Sequence, residues 1–283
     1  MARRSRAIVC IDFVLDHLRV IEVENGVITG HFLRPLPAGV LRAGDPIEPD
    51  LIGGELRQCM RATGMEGTVA RLALPDEAAV AKIIQLPRMP DRHLRKAVSY
   101  SVERELPFPA QRAAWSWQVI ARDQSSITVY LVAAWRDLVD RVAEVAISAG
   151  LEPTLIEPRA LAVARAIGLP RATVVEASGS QLQLTQVQPL SAPFVEVGSC
   201  PPDRREAEEA IERLLQRSTR HQLGANDLEP SPVLFAGELE DAGLKLRVPV
   251  TLLSSALNGH PPRRPEGMQA GHYIASLGLA AWN

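Results

Sequence analysis

One order of elements runs through this chain twice. Residues 7–34 carry three β-rich runs, Ala7–Phe13, His17–Glu24 and Val27–Arg34, with Glu24-Asn25-Gly26 as the turn signal between the last two. A Pro/Gly-rich link, Leu36–Pro49, leads to a helix over Leu51–Arg61, with Asp50 placed to cap it. Residues 172–217 start the pattern again. Strands are predicted at Ala172–Ala177, Gln181–Val187 and Pro193–Val197, then a helix over Arg205–Arg217. Three strands and a helix, repeated, predict a duplicated α/β fold. The chain has 283 residues, 46% of them hydrophobic, enough for two such units with a core.

Further elements lie between and after the repeats. Thr68–Leu74 and Val80–Leu86 read as strands. Leu94, Val98, Val102 and Leu106 recur at four-residue spacing, which predicts a helix over Asp91–Leu106, capped by Asp91 and stopped by Pro107. Ala113–Ala121 and Ser126–Ala134 are strands. Asp137–Ala149 is a helix that ends at Gly150, and Glu157–Ile167 a short one with a proline at its start. The last stretch gives strands Pro232–Ala236 and Val248–Leu253, a Pro-rich loop, and a helix from Tyr273. The 22 prolines cluster at the joints between these runs and mark boundaries.

Composition removes several classes of function. Lys+Arg 31 against Asp+Glu 33 gives a net charge of -2, so nothing calls for nucleic acid. The three cysteines, Cys10, Cys59 and Cys200, lie far apart and away from histidine, so neither a disulfide framework nor a zinc site is indicated. The six histidines show no metal spacing, and no metal site is expected. No window is long and apolar enough to cross a bilayer, and no secretory signal follows the basic start. A cytoplasmic protein is the expectation.

The first two strands resemble the entrance to a phosphate site. Asp12 ends the first strand, where phosphate-binding hairpins keep a carboxylate on the Mg²⁺ side. The turn that follows, Val14-Leu15-Asp16, has no Gly to bring backbone N–H groups to a phosphate and no Ser or Thr to donate. Asp16 adds a second negative charge.

A series of short motifs then appears in order. It comprises Leu36-Pro37-Ala38-Gly39-Val40, Leu72-Ala73-Leu74-Pro75, Leu86-Pro87-Arg88-Met89-Pro90, Glu105-Leu106-Pro107-Phe108, Ala133-Ala134, Ala149-Gly150-Leu151-Glu152-Pro153, Glu157-Pro158-Arg159-Ala160-Leu161-Ala162 and Ser276-Leu277-Gly278-Leu279-Ala280. Their order and spacing resemble the actin-like (ribonuclease H-like) ATPase superfamily, and within it the PilM family of type IV pilus assembly. GspL of type II secretion and the division protein FtsA are more distant likenesses. The resemblance implies a two-lobed α/β fold. Lobe one would be residues 1–66 and 151–170, with a small β/α subdomain, residues 67–150, inserted into it. Lobe two would be a trimmed 171–283. It further implies an ATP cleft between the lobes. A groove between lobe one and the insert would bind the N-terminal cytoplasmic segment of a membrane partner, PilN in pilus systems.

Three turns should converge on ATP in such a fold. The first is the one after Asp12. The second is Val175-Glu176-Ala177-Ser178-Gly179-Ser180, where Glu176 stands for the usual Asp and the glycine comes late. The third is Phe235-Ala236-Gly237-Glu238, with one glycine left. Asp12, Glu176, Ser178 and Gly237 are therefore the residues of a degenerate nucleotide cleft. The two carboxylates either hold Mg²⁺ through water or are inherited strand-end residues. The expectation is a pseudo-ATPase with no cofactor; an ATPase using ATP and Mg²⁺ is the alternative. A sugar-kinase-like enzyme is a third class and would need an intact phosphate hairpin.

For the partner groove the candidates are Leu94, Val98, Pro107, Phe108, Trp115 and Trp117. Trp115 and Trp117 are two apart and face the same side, which is either core or a peptide-docking surface. The expected role is that of a scaffold. A PilN-like peptide is the first partner, a secretion ATPase is a further candidate, and self-association is left open. Neither the transmembrane continuation of a GspL-type chain nor the amphipathic C-terminal helix of FtsA is read here, so membrane contact is expected only through partners.

Overall fold

Two five-stranded sheets share one strand order. The computed structural model describes residues 7–13, 17–188, 192–222, 231–240, 242–244, 246, 248–253 and 262–281. The first sheet joins β1 (Ile8–Asp12), β2 (His17–Glu24), β3 (Val27–Pro35), β6 (Val69–Leu74) and β10 (Glu152–Pro158) in the order β10-β6-β1-β2-β3. The second joins β11 (Ala172–Ser178), β12 (Gln181–Val187), β13 (Phe194–Ser199), β14 (Val233–Gly237) and β15 (Val250–Leu252) in the order β13-β12-β11-β14-β15. In each, three strands form an antiparallel meander, and the fourth and fifth add in parallel to the free side of the first. The duplication expected from the sequence is thus present in the hydrogen bonding itself.

Alternation along the central strands sorts their side chains. On β1 and β2, Val9, Ile11, Leu18 and Val20 turn outward to α1 (Pro49–Thr63) and α3 (Arg136–Ser148), meeting Ile52, Leu56, Leu138, Val142 and Val145. Cys10, Ile21 and Val23 turn inward. On β11, Val175 and Ala177 face outward to α5 (Arg204–Gln222), whereas Val174 faces inward. By the same period of two, Asp12 and Glu176 face inward too.

The inner layer consists of α4 (Arg159–Ile167) and α6 (Ile274–Ala280), packed against each other between the sheets. Gly278 permits their close crossing. A Cβ at that position would fall 1.7 Å from the Ala162 carbonyl oxygen, so no side chain fits without separating the helices. Arg165 donates to the Gly278 carbonyl and Arg71 to the Leu279 carbonyl, tying the end of α6 to the first sheet.

A third sheet, of order β7-β9-β8, holds β7 (Ala79–Pro87), β8 (Ala113–Arg122) and β9 (Ser126–Trp135). One face carries Ile84, Leu86, Ile127, Val129 and Leu131 against Leu94, Val98 and Val102 of α2 (Asp91–Glu105). As a sheet with its helix, the insert spans residues 79–135. It is narrower than the expected 67–150, because β6 pairs with β1 and α3 packs on α1 in the first lobe's core. Similarly α6, expected within lobe two, lies on β1, β2 and β6.

Other expectations are corrected locally. The predicted helix Glu157–Ile167 is preceded by a strand, β10, which takes Glu157 and Pro158 and leaves the helix Arg159 onward. Two prolines hid that strand; as the sheet's edge strand it tolerates them. The Leu36–Pro49 link contains a short hairpin, β4 (Leu41–Arg42) with β5 (Asp45–Pro46). Asp50 and Asp91 lie in the first turns of their helices and cap neither; Asp91 pairs instead with Arg122 at 2.8 Å. The turn Val14-Leu15-Asp16 lies outside the described residues.

Replacing Gly278 by Ala is expected to destabilise the fold by about 2–3 kcal/mol in urea unfolding, as a clash of backbone with side chain. An unchanged midpoint would mean that α4 and α6 do not cross this closely.

Candidate functional site

Arg159, the first residue of α4, is completely buried and lies between the two lobes' inward carboxylates. Its Nε donates to Asp12 Oδ2 at 2.9 Å and its Nη2 to Glu176 Oε2 at 2.6 Å. Asp12 and Glu176 are themselves 0% and 2% exposed. Burial works against the guanidinium's charge, but Asp12 and Glu176 outweigh it, and the Arg159 pKa is raised. The structure therefore brings together the two carboxylates singled out in the sequence, and it adds a cation between them. Arg159 Nη1 and Glu176 Oε1 are buried without a hydrogen-bond partner among the described residues.

Sequence reasoning missed Arg159 as a site residue, although a signal existed. A cation at the start of an apolar helix opposes the helix dipole. An Arg immediately after Glu-Pro and before Ala-Leu-Ala-Val-Ala is stable there only if acids face it. Asp12 and Glu176 are those acids.

The hairpins beside the triad are bonded to one another. Arg19, 3% exposed on β2, donates to Ser178 Oγ of β11 at 2.6 Å, and His17 Nδ1 lies 3.1 Å from the same oxygen. Ser276 of α6 donates to the Arg19 carbonyl. Ser178, a candidate phosphate donor, is thus engaged with the opposite lobe. Gly237 has φ +65°, and a Cβ there would fall 2.6 Å from the Ala177 carbonyl oxygen, so the glycine is required by β11. The following residue, Glu238, accepts the Gly179 N–H at 3.2 Å. A carboxylate therefore takes the backbone donor that a phosphate turn would offer.

Asp76 forms a second link between lobes, also unforeseen. It follows β6 in a single 3₁₀ turn, Asp76–Ala78. Its Oδ1 accepts the Ala160 N–H of α4 at 2.8 Å, and its Oδ2 accepts Gln183 Nε2 of β12 at 3.0 Å. Burial of the carboxyl, only partly offset by these donors and by Arg159, raises its pKa to about 7.

The partner candidates separate into two groups. Leu94 and Val98 are 2% and 0% exposed, sealed between α2 and the small sheet, so they cannot meet a partner. Trp115 and Trp117 pack on that same α2 side, and Trp117 also reaches the rim of an open groove. Pro107 is exposed, and Phe108 stacks on Trp135 at 4.5 Å; neither lines the groove. The groove, about 750 Å³, runs between the other face of the small sheet and the β10–α4 segment. Its lining includes Ser116, Gln118, Tyr130, Leu155 and Arg165.

The twice-repeated sheet, the crossed helices between its copies and the carboxylate pair at their junction define an actin-like fold. The family model for the type IV pilus assembly protein PilM matches residues 11–187, and the chain belongs to that family. Among solved structures, it is similar to a PilM-PilN type IV pilus biogenesis complex at 19% identity, with 98% of each chain covered and a TM-score of 0.73. The cytoplasmic domain of EpsL, an inner membrane component of the type II secretion system of Vibrio cholerae, aligns at 11% identity over 97% of this chain and 94% of that one, with a TM-score of 0.54. The ethanolamine utilization protein EutJ of Carboxydothermus hydrogenoformans aligns at 15% identity over 97% and 89%, with a TM-score of 0.51. No curated protein sequence matches. No helix among the described residues is long and apolar enough to cross a membrane.

Two outcomes follow. Arg159→Met leaves two buried carboxylates uncompensated and is expected to cost about 3–5 kcal/mol in urea unfolding at neutral pH. A loss under about 1 kcal/mol would show the triad to be solvated. For Asp76, the folded-state pKa lies above the unfolded one, so the folded protein holds the proton longer. Wild-type stability therefore falls as pH rises from about 4 to 7 through this group. Asn fits the same place, accepting from Ala160 and donating to a flipped Gln183 amide. Asp76→Asn should gain about 1–2 kcal/mol over wild type between about pH 5 and pH 8, less than a full shift would give because the residue is half-buried. A pH-independent difference would refute the shift.

Proposed function

We propose that this chain is a cytoplasmic, non-hydrolysing scaffold of a type IV pilus or type II secretion-like assembly platform. It seats the N-terminal cytoplasmic segment of a PilN-like membrane protein in the groove between the small sheet and β10–α4. The observation that carries the pseudo-ATPase part is Arg159. In an actin-like cleft, Mg²⁺ with its waters would have to be held by Asp12 and Glu176, and each carboxylate spends an oxygen on the guanidinium instead. The residues present do not fit Mg-nucleotide. The donors a polyphosphate needs are also spent, Ser178 on Arg19 and the Gly179 N–H on Glu238.

The groove supports the partner part of the reading. The small sheet turns Ser116 and Gln118 of β8 and Tyr130 and Val132 of β9 toward it, across from Leu161 and Arg165 of α4. The opposite wall is β10, an edge strand. An extended chain can lie between such walls. The PilM-PilN complex is the precedent for a partner of this kind. Attachment to the membrane would then come through that partner.

Thermal shift separates the two parts. Mg-ATP at millimolar concentration is expected to leave the melting temperature unchanged. The N-terminal peptide of the PilN-like protein from the same genome should raise it, by several degrees at about 100 Kd. A rise with Mg-ATP and none with the peptide would reverse the reading to an ATPase of the same fold.

A further inference from the structure

The groove is walled by two strand edges. On β8, Ser116, Trp117 and Gln118 all line it. Alternation puts Ser116 and Gln118 on one face of the small sheet, whereas Trp117 packs its indole on the other, against the α2 core. Successive residues of a strand border the same space where the strand's edge faces it. β10 repeats the pattern. Leu155 packs with the inner core and Ile156 with the outer one, yet both line the groove. Both strands lie at the end of a sheet, β8 in the order β7-β9-β8 and β10 in the order β10-β6-β1-β2-β3.

Two hydrogen bonds at the start of β9 fix which main-chain groups β8 leaves open. The Arg88 N–H, just after β7, donates to the Ser125 carbonyl, and the Asp123 N–H, just after β8, donates to the Ser126 carbonyl. In a strand the N–H and C=O of one residue point the same way, and those of the next point to the other side. The register of β9 with β7 runs unbroken, so even-numbered residues of β9 face β8. Tyr130 and Val132 thus bond to their partners Gln118 and Ser116. Trp115 and Trp117, the alternate residues, turn their N–H and C=O to the free edge. The Ala113 carbonyl, two residues before Trp115, accepts from the Arg136 side chain at 2.7 Å, as a group outside the ladder can. Among the described residues no strand lies beyond β8.

An open edge invites pairing unless it is blunted. β8 spans ten residues, Ala113–Arg122, and none is a proline. Its register shift, between Val119 and Ala121, falls past the groove residues. β10 carries Pro153 and Pro158, neither with an N–H to donate. Of the two walls, β8 is the better template.

We propose that the partner's extended segment binds as a fourth strand of the small sheet, paired with β8 through the main-chain groups of Trp115 and Trp117. This rests on the peptide-groove reading given above. Every second side chain of the added strand turns to the apolar wall of Leu155, Pro158 and Leu161. The main chain supplies affinity and that wall supplies selection. Trp115 and Trp117 serve the partner through their backbone, while their indoles stay with the small sheet's core.

The test uses the full chain with isotopically labelled tryptophan, which gives four backbone amides to follow by NMR. The probe is a synthetic peptide of the N-terminal cytoplasmic segment of the PilN-like protein. At saturation it is expected to slow hydrogen exchange of the Trp115 and Trp117 amides by about tenfold or more. Peptides with a single backbone N-methyl group, moved one residue at a time, should lose about tenfold in affinity at every second position and keep it in between. If N-methylation is tolerated throughout, or harmful throughout, strand pairing is refuted although the groove reading stands. If the alternation appears while the Trp115 and Trp117 amides are unaffected, the segment pairs with β10 and the assignment to β8 fails. If the unmodified peptide does not bind at all, the groove reading fails and takes this inference with it.

Discussion

A guanidinium enclosed by two carboxylates, one from each lobe, sets the geometry of this molecule. Arg159 begins α4, Asp12 ends the central strand of the first sheet, and Glu176 lies on the central strand of the second. Each partner is too buried to be satisfied by solvent, so each depends on the others. A buried ion pair is weak evidence for net stability, yet breaking one is costly. The consequence here is positional. The start of α4, the rims of both sheets and the Asp76 link to β12 are held in one arrangement, and α6 is held over them by the contact at Gly278.

On the reading proposed above, this arrangement is how a fold associated with nucleotide clefts would persist without one. A nucleotide in such a cleft would bring Mg²⁺ to this junction. Here the chain supplies the cation itself, and the hairpins are bonded across the junction by Arg19 and Ser178. The lobes then need no ligand to hold their relation. On our reading, what remains available is the outer surface, above all the groove between the small sheet and the β10–α4 segment.

Much of this was legible in the sequence, and the exceptions have physical causes. The meanders were readable because their strands are β-rich runs and their turns carry Asn25-Gly26 and Ser178-Gly179-Ser180. Asp12 and Glu176 were singled out together because both end or interrupt apolar central strands, and the structure brings them to one guanidinium. Their partner was not found, because a lone Arg at a helix start reads as surface charge unless the opposing acids are known to be near. β10 was hidden by Pro153 and Pro158. Tyr130 gave no sign at all: its pattern is that of any strand residue, and only the structure shows its hydroxyl buried without a hydrogen-bond partner among the described residues. Leu94 and Val98 were proposed for a partner because an apolar helix face looks alike whether it meets a sheet of its own chain or another protein.

The most direct test of the central claim is anomalous scattering from crystals grown with millimolar Mn²⁺ and a non-hydrolysable ATP analogue. The account predicts no metal peak between Asp12 and Glu176, with the Arg159 guanidinium in that position. A Mn²⁺ peak bridging the two carboxylates, with Arg159 displaced, would contradict it.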